Sequence, residues 1–436
     1  MWRYAVVAAI AAAPVGAAVV SAPKIGVLAV CALLLIAVIS RTPALVFGCS
    51  LLALAYTAED LGSSFGVLQR PELQKGIVYA ALLAMALIRG VDRRLILPVV
   101  AYVVLAILSY LHGDLAPGLT VGQMASSFIT LTIGWVALSV KWDWRRDARY
   151  LKVMAWVAPA CVALGVLLQL AHLHSMWKEP NGFDSSVRLR GASIAAQLAL
   201  MAFGSASAAY VCHRLMGWRP ARYLVAANAL ILALTLSRGA AMALGAAAVV
   251  PVLRFALAPL PARRGVAVAR FGLIVALTAL VAATLVPKLQ ERNAGGRYYA
   301  GQGTFQDPTS GRTDAWKQFY AIAQRSPLFG HGLGSGPITK IQEQGFLAQH
   351  NEYLRMFLEG GYVGGGLLLL AMVLAIGTAI ARAPPFIRLD LAGIALAWAG
   401  LSFFDNTLTT INLTVLLCLT FALAAASRRR PGVGWG

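Results

Sequence analysis

The stretch "HNEYLRMFLEGGYVGGGLLLLAMVLAIGTAI", residues 350–380, passes from polar residues through a glycine-broken segment into an uncharged apolar run. A run of about 20 such residues is what a helix needs to cross about 30 Å of hydrocarbon. Similar runs recur along the whole chain, at 4–22, 25–40, 43–57, 76–90, 95–111, 121–140, 150–173, 192–212, 222–237, 239–257, 267–286, 361–381, 389–404 and 407–426. Of the 436 residues, 59% are hydrophobic and 12% charged, and the mean hydropathy is +0.73. Soluble domains carry about 25% charged residues, so this composition excludes that class. The period-2 alternation of a membrane barrel is absent, which leaves helices. The expected fold is therefore all-α: a polytopic transmembrane helix bundle of 12–14 spans. The first three runs are short, and residues 4–22 also resemble a signal-peptide core ending in "VVSA", preceded by Arg3 alone.

Charge orients the bundle. With the N-terminus inside, Arg41 and the segments "RGVDRR", "KWDWRRDAR", "HRLMGWRPAR", "RFALAPLPARRGVAVAR", "ARAPPFIR" and "SRRR" share one side. That side collects 22 of the 37 Lys and Arg but 4 of the 17 Asp and Glu; the other collects 15 and 13. By the positive-inside rule the first side is cytoplasmic, and most of the net charge of +20 is a topology signal. Anionic membrane lipids are attracted to the same face. The basic residues are dispersed over short loops, so no nucleic acid is expected as a partner. Cys31, Cys49, Cys161, Cys212 and Cys418 fall in or at the ends of apolar runs and suggest neither a disulfide framework nor a metal site.

One connection stands out. About 74 residues separate the run ending near Val286 from the one starting near Gly361, on the outer side. Three regions follow: N-terminal spans at 1–286, a long outer loop with catalytic elements at 287–360, and C-terminal spans with a cytoplasmic tail at 361–436. Within the loop, Trp316, Phe319, Tyr320 and Ala323 recur at i, i+3, i+4 and i+7, the stripe of an amphipathic helix. Thr313 or Asp314 caps its start and Ser326-Pro327 ends it. Its apolar face is expected on the outer membrane surface or against the bundle.

The chemistry-bearing residues gather on the same side. His350 shares a helical face with Tyr353, Leu354, Phe357 and Leu358, near the start of a helix. Arg188 and Arg190 in "DSSVRLRGAS", Arg238 in "LTLSRGAAM" and Arg312 in "TSGRTDAW" are also outer. Arg238 has only "SRG" between two apolar runs, so its guanidinium either snorkels to the interface or serves a polar site. Arginine grips phosphate with two parallel hydrogen bonds, and with a histidine nearby the set suggests a phosphate-bearing lipid substrate. "GHGLGSG" lacks the lysine and the strand-loop-helix context of a phosphate loop and reads as a turn. His112, His172 and His174 have no partners at ligand spacing and read as interfacial. Glu59-Asp60 read as solvated, so a metal-independent mechanism is favoured. Glu352, Asp314 and Asp405 are rivals to His350 as base.

The order "SRG", "SGRTDAW", "SPLFGHGLGSG", "HNEYLRMFLEGGYVG" resembles the O-antigen ligase and polymerase superfamily over residues 230–385. The resemblance implies a membrane-embedded glycosyltransferase that takes a glycan from undecaprenyl pyrophosphate at the outer (periplasmic) face of the bacterial inner membrane. It carries the base onto His350 and the pyrophosphate contacts onto Arg238 and Arg312. Arg190 joins them on the strength of its outer position beside Gly191. The donor is already activated, so no cofactor, nucleotide or ATP is expected. The acceptor is lipid A-core in a ligase or a second lipid-linked glycan in a polymerase; the ligase is the narrow preference. Protein-glycosylating members usually carry a larger soluble tail, and the few residues after "SRRR" count against that branch. A lipid-linked sugar transporter is the alternative of another class. The charges sit at span ends and no internal repeat is evident, which counts against it.

Overall fold

The structure, a computed structural model, describes residues 43–55, 71–172, 174–177, 187–257, 297–298, 304–305, 312–339 and 350–428. The expected spans at 4–22, 25–40 and 267–286 lie outside the described residues, as do Cys31 and Glu59-Asp60. The described chain is helical: α1 (Pro43–Ala55), α2 (Pro71–Arg89), α3 (Leu97–His112), α4 (Val121–Ser139), α5 (Trp144–Asp147), α6 (Arg149–Ala155), α7 (Val157–Leu170), α8 (Ala195–Met216), α9 (Pro220–Leu234), α10 (Arg238–Leu257), α11 (Arg312–Ala323), α12 (Ser335–Ile338), α13 (Glu352–Arg382), α14 (Pro385–Phe404) and α15 (Ile411–Ser427). A two-residue antiparallel pair, β1 (Arg297–Tyr298) and β2 (Thr304–Phe305), is a small addition to the all-α expectation. Helices α4, α8, α13 and α14 are long and apolar enough to cross a membrane, and α5 and α6 together with α7 make a bent fifth. Shorter apolar helices, α3, α9, α10, α15 and the Val78–Arg89 part of α2, accompany them.

Small side chains put α8 at the centre. Its run of Ala, Gly and Ser lets neighbours approach, as small residues do between membrane helices, and it packs against α6, α9 and α15. A Cβ on Gly204 would stand 3.0 Å from Leu416 of α15. On the far side of α15 lies α4, where a Cβ on Gly134 would meet Thr414 at 2.4 Å. Helix α4 starts on a reciprocal cap: Thr120 Oγ1 accepts from Gln123 N and Gln123 Oε1 accepts from Thr120 N.

The run at 150–173, expected as one span, bends by 44° between α6 and α7. The cause is Pro159: it has no N–H for the carbonyl of Ala155, four residues earlier, and its ring crowds that oxygen. The orphaned carbonyl takes a hydrogen bond from Asn228 Nδ2 of α9 at 3.1 Å, and Asn228 is fully buried.

The two ends of the bundle differ as the charge count anticipated. At the basic end, Arg89 pairs with Asp147 at 2.9 Å, Arg214 with Asp390 at 3.6 Å and Arg382 with Asp92, while Asp143 caps α5 by accepting from Arg145 N. All four acidic residues assigned to that side are thus engaged. The opposite end carries α11, the glycine-rich turn at 330–334 and the start of α13. Helix α13 is interrupted at Gly361, whose φ of 62° and ψ of −165° are non-helical. A Cβ there would lie 2.3 Å from the Leu328 carbonyl carbon, so both conformation and space require glycine. The break divides a polar block, 352–360, from the apolar span that follows.

Helix α11 lies against that block, which settles its expected placement in favour of the bundle. Its buried face is Ala315, Phe319 and Ala323, packed on Leu354 and Leu358. Tyr320, expected on this face, is 49% exposed with its ring near Phe357. The stripe is rotated because α13 offers two leucines on one line, and residues four apart on α11 meet them.

Replacing Asn228 with leucine is expected to destabilise the protein by about 1–3 kcal/mol by orphaning the Ala155 carbonyl. In a Pro159→Ala background residue 159 supplies an N–H of its own, and the loss is expected to shrink. Thermal melts of the four proteins in detergent measure this; equal losses in both backgrounds would refute the account of the bend.

Candidate functional site

His350 is not part of the helix that follows it. Asn351 is the N-cap of α13, its side-chain oxygen accepting from Leu354 N at 3.0 Å, and His350 precedes it with φ of 47°. This is the left-handed region, uncommon for a non-glycine residue. The turn removes the ring from the Tyr353–Leu358 stripe, where periodicity had placed it, and leaves its side chain 34% exposed. The imidazole faces the link between α14 and α15, with Nδ1 3.7 Å from Asp405 Oδ1. That is an electrostatic contact, longer than a hydrogen bond.

Asp405 follows the last residue of α14 and also accepts from Asn406 N at 2.8 Å. Burial alone would push its carboxyl up, but the neighbouring His350 and the charge of Arg312 hold it below the ordinary carboxylate value. Arg312, the first residue of α11, donates from Nη1 to the Phe404 carbonyl. His350 and Arg312 therefore meet at consecutive residues, 404 and 405.

Arg238 begins α10, and α10 packs along α14. The contact is close at Gly239, where a Cβ would lie 3.3 Å from Leu401 Cδ1 and 4.0 Å from Phe404 Cβ. The N-terminus of α10 thus abuts the same end of α14. Three of the four residues singled out in the sequence stand on elements that converge there.

Arg190 is placed differently. It is 3% exposed, and its Nη2 lies 2.8 Å from His174 Nδ1, while His174 Nε2 lies 2.7 Å from the Gly191 carbonyl. Arg190 Nε also donates to His174 Nε2 at 3.1 Å, so the guanidinium faces both ring nitrogens. His174 is therefore buried as the partner of Arg190, which corrects its reading as interfacial. Arg188, also buried, donates from Nε to the Thr235 carbonyl at 2.8 Å, and Leu189 N donates to Leu234 O at 3.0 Å. The segment is tied to the turn that leads into Arg238. No sequence spacing could pair 174 with 190, because the pairing is made by the fold.

Of the rivals to His350, Glu352 is occupied: its oxygens accept from Leu408 N, Thr409 N and Arg355. The side chain of Asp314 lies outside the described residues. "GHGLGSG" is a turn, with positive φ at Gly330, Gly332 and Gly334, and His331 N and Gly332 N donate to the carbonyls of Leu358 and Glu359. His172 and His112 are exposed, with the His112 ring 5.3 Å from that of Phe329. Among the described residues no three His, Cys, Asp or Glu gather to hold a metal ion. The arrangement brings an oriented imidazole and guanidinium charge to one end of the bundle, a pairing suited to deprotonating a hydroxyl near an anionic group.

Residues 223–369 match the Wzy_C family model, described as O-Antigen ligase. No curated protein matches the chain.

Because its pKa is lowered on folding, the Asp405 carboxyl stabilises the protein above about pH 4, the unfolded value, and loses that contribution as pH falls through the folded value. The melting-temperature gap between wild type and Asp405→Asn is expected to be constant near neutrality and to close below about pH 4. A gap that widens on acidification would contradict this sign.

Proposed function

We propose, from the match of residues 223–369 to the O-antigen ligase family, that this multi-pass membrane protein is an O-antigen ligase-like glycosyltransferase. It moves a glycan from undecaprenyl pyrophosphate to a hydroxyl of lipid A-core, at the periplasmic face of the inner membrane. The loop at 287–360 and the α14 end face the periplasm; the arginine-rich end faces the cytoplasm and its anionic lipids.

The observation that carries this reading is the meeting of His350 and Arg312 at residues 404–405, with Arg238 beginning the helix packed beside them. Asp405 favours the tautomer with the proton on Nδ1, which leaves Nε2 to accept one from the acceptor hydroxyl. As that proton leaves, the hydroxyl oxygen bonds to the anomeric carbon and the bond from that carbon to the pyrophosphate oxygen breaks. The electron pair departs with undecaprenyl pyrophosphate. Arg238 and Arg312 stabilise the charge that grows on it, and Arg190, buried against His174, adds to the positive field. A single displacement inverts the anomeric centre, and the donor's own activation makes ATP or a metal unnecessary.

The test is transfer by the purified protein in EDTA, with an undecaprenyl-pyrophosphate glycan offered to lipid A-core or to a second lipid-linked repeat. His350→Ala is expected to slow transfer by about 10²- to 10⁴-fold, and Arg312→Lys, which loses the planar fork, by about 10²-fold. Transfer to the lipid-linked repeat alone would make the protein a polymerase acting at the same site. Undiminished transfer by His350→Ala would refute the assignment of the base, and movement of lipid-linked sugar without transfer would make the protein a transporter.

A further inference from the structure

Periodicity assigned the start of α13 to its apolar face, yet its opposite face carries Glu352, Arg355 and Glu359, all under 5% exposed. Ionised groups in such a place are tolerated only when paired and hydrogen-bonded. Glu352 Oε2 accepts from Arg355 Nε at 2.6 Å and also pairs with Nη2. Arg355 lies within electrostatic reach of Glu359 and Tyr102 as well. Glu352 Oε1 is used elsewhere: it accepts from Leu408 N at 2.6 Å and Thr409 N at 3.2 Å. An ion pair that served only the helix would not need those two amides.

The sequence positions give the contact its meaning. Glu352 is two residues after His350, and Leu408 is three after Asp405, so one carboxylate cross-links the two turns. His350 holds a positive φ, which a non-glycine residue keeps only where its surroundings over-determine it. We infer that Glu352 is a positioning residue of the transfer reaction: clasping Leu408 and Thr409, with Arg355 fixing its second oxygen, it keeps Asp405 facing His350. The inference rests on the reading of His350 as the base.

The test compares the full chain in nanodiscs as wild type, Glu352→Gln, Arg355→Lys, His350→Ala and the Glu352→Gln/His350→Ala double variant. The probe is the undecaprenyl-pyrophosphate glycan with whichever acceptor the wild type uses. Both Glu352→Gln and Arg355→Lys are expected to lower kcat by about 10- to 100-fold, the scale of a misplaced reacting group, with donor KM changed less than about twofold. Adding Glu352→Gln to His350→Ala is expected to cause no further loss, since the carboxylate acts through the histidine. Unchanged kcat in both single variants, or full additivity in the double one, would overturn the inference. Amide hydrogen exchange reads the same contact without turnover: at Leu408 and Thr409 it should quicken by about tenfold or more in Glu352→Ala, and an unchanged rate would equally overturn it. Wild-type transfer by His350→Ala would instead overturn the base reading itself, which tells the two failures apart.

Discussion

The break at Gly361 is the constraint from which the site follows. Without it, residues 352–382 would form one straight helix, and the polar block at 352–360 would continue the axis of the span. With it, the carbonyls at the end of the block turn to the 330–332 loop, which donates from His331 N and Gly332 N, while Tyr362 N and Val363 N donate to Pro327 O and Leu328 O. The block is closed at both ends, by Asn351 and by this loop. In a membrane, where unpaired backbone groups have no water to turn to, such closure is what permits a chain break. The block then serves as a floor on which α11 packs and against which the α14–α15 link is held.

That floor explains how residues far apart in sequence meet at one place. Arg312 arrives on α11 because Phe319 and Ala323 pack on Leu358. Asp405 arrives because α14 ends where its link is bonded to Glu352. Arg238 arrives because Gly239 lets α10 approach α14. The opposite end is held by ion pairs made mostly between helix ends: Arg89 with Asp147, Arg214 with Asp390 and Arg382 with Asp92.

Much of this was legible in the sequence. Hydropathy pointed to a helical bundle and charge counting to its two unlike ends; His350, Arg238 and Arg312, singled out by position and resemblance, stand on elements that converge, whereas Arg190, added for its outer position, is paired with His174. Three things were not legible, each for a physical reason. The bend after Ala155 depends on Pro159 finding its complement in Asn228, a pairing across helices. His174 looked interfacial because its partner, Arg190, becomes adjacent only through folding. The buried face of Glu352, Arg355 and Glu359 at i, i+3 and i+7 was masked by the apolar stripe beside it; that spacing, in a stretch so close to a span, was the available signal.

The central claim is that His350, Arg312 and Arg238 serve one anionic lipid at the end of α14. The most direct measurement is an experimental structure of the full chain in nanodiscs with undecaprenyl pyrophosphate bound. The account predicts phosphate density between the guanidinium groups of Arg238 and Arg312, on the open side of His350 away from Asp405. Phosphate density at the arginine-rich opposite end, or bound at the α14 end without contact to either arginine, would contradict it.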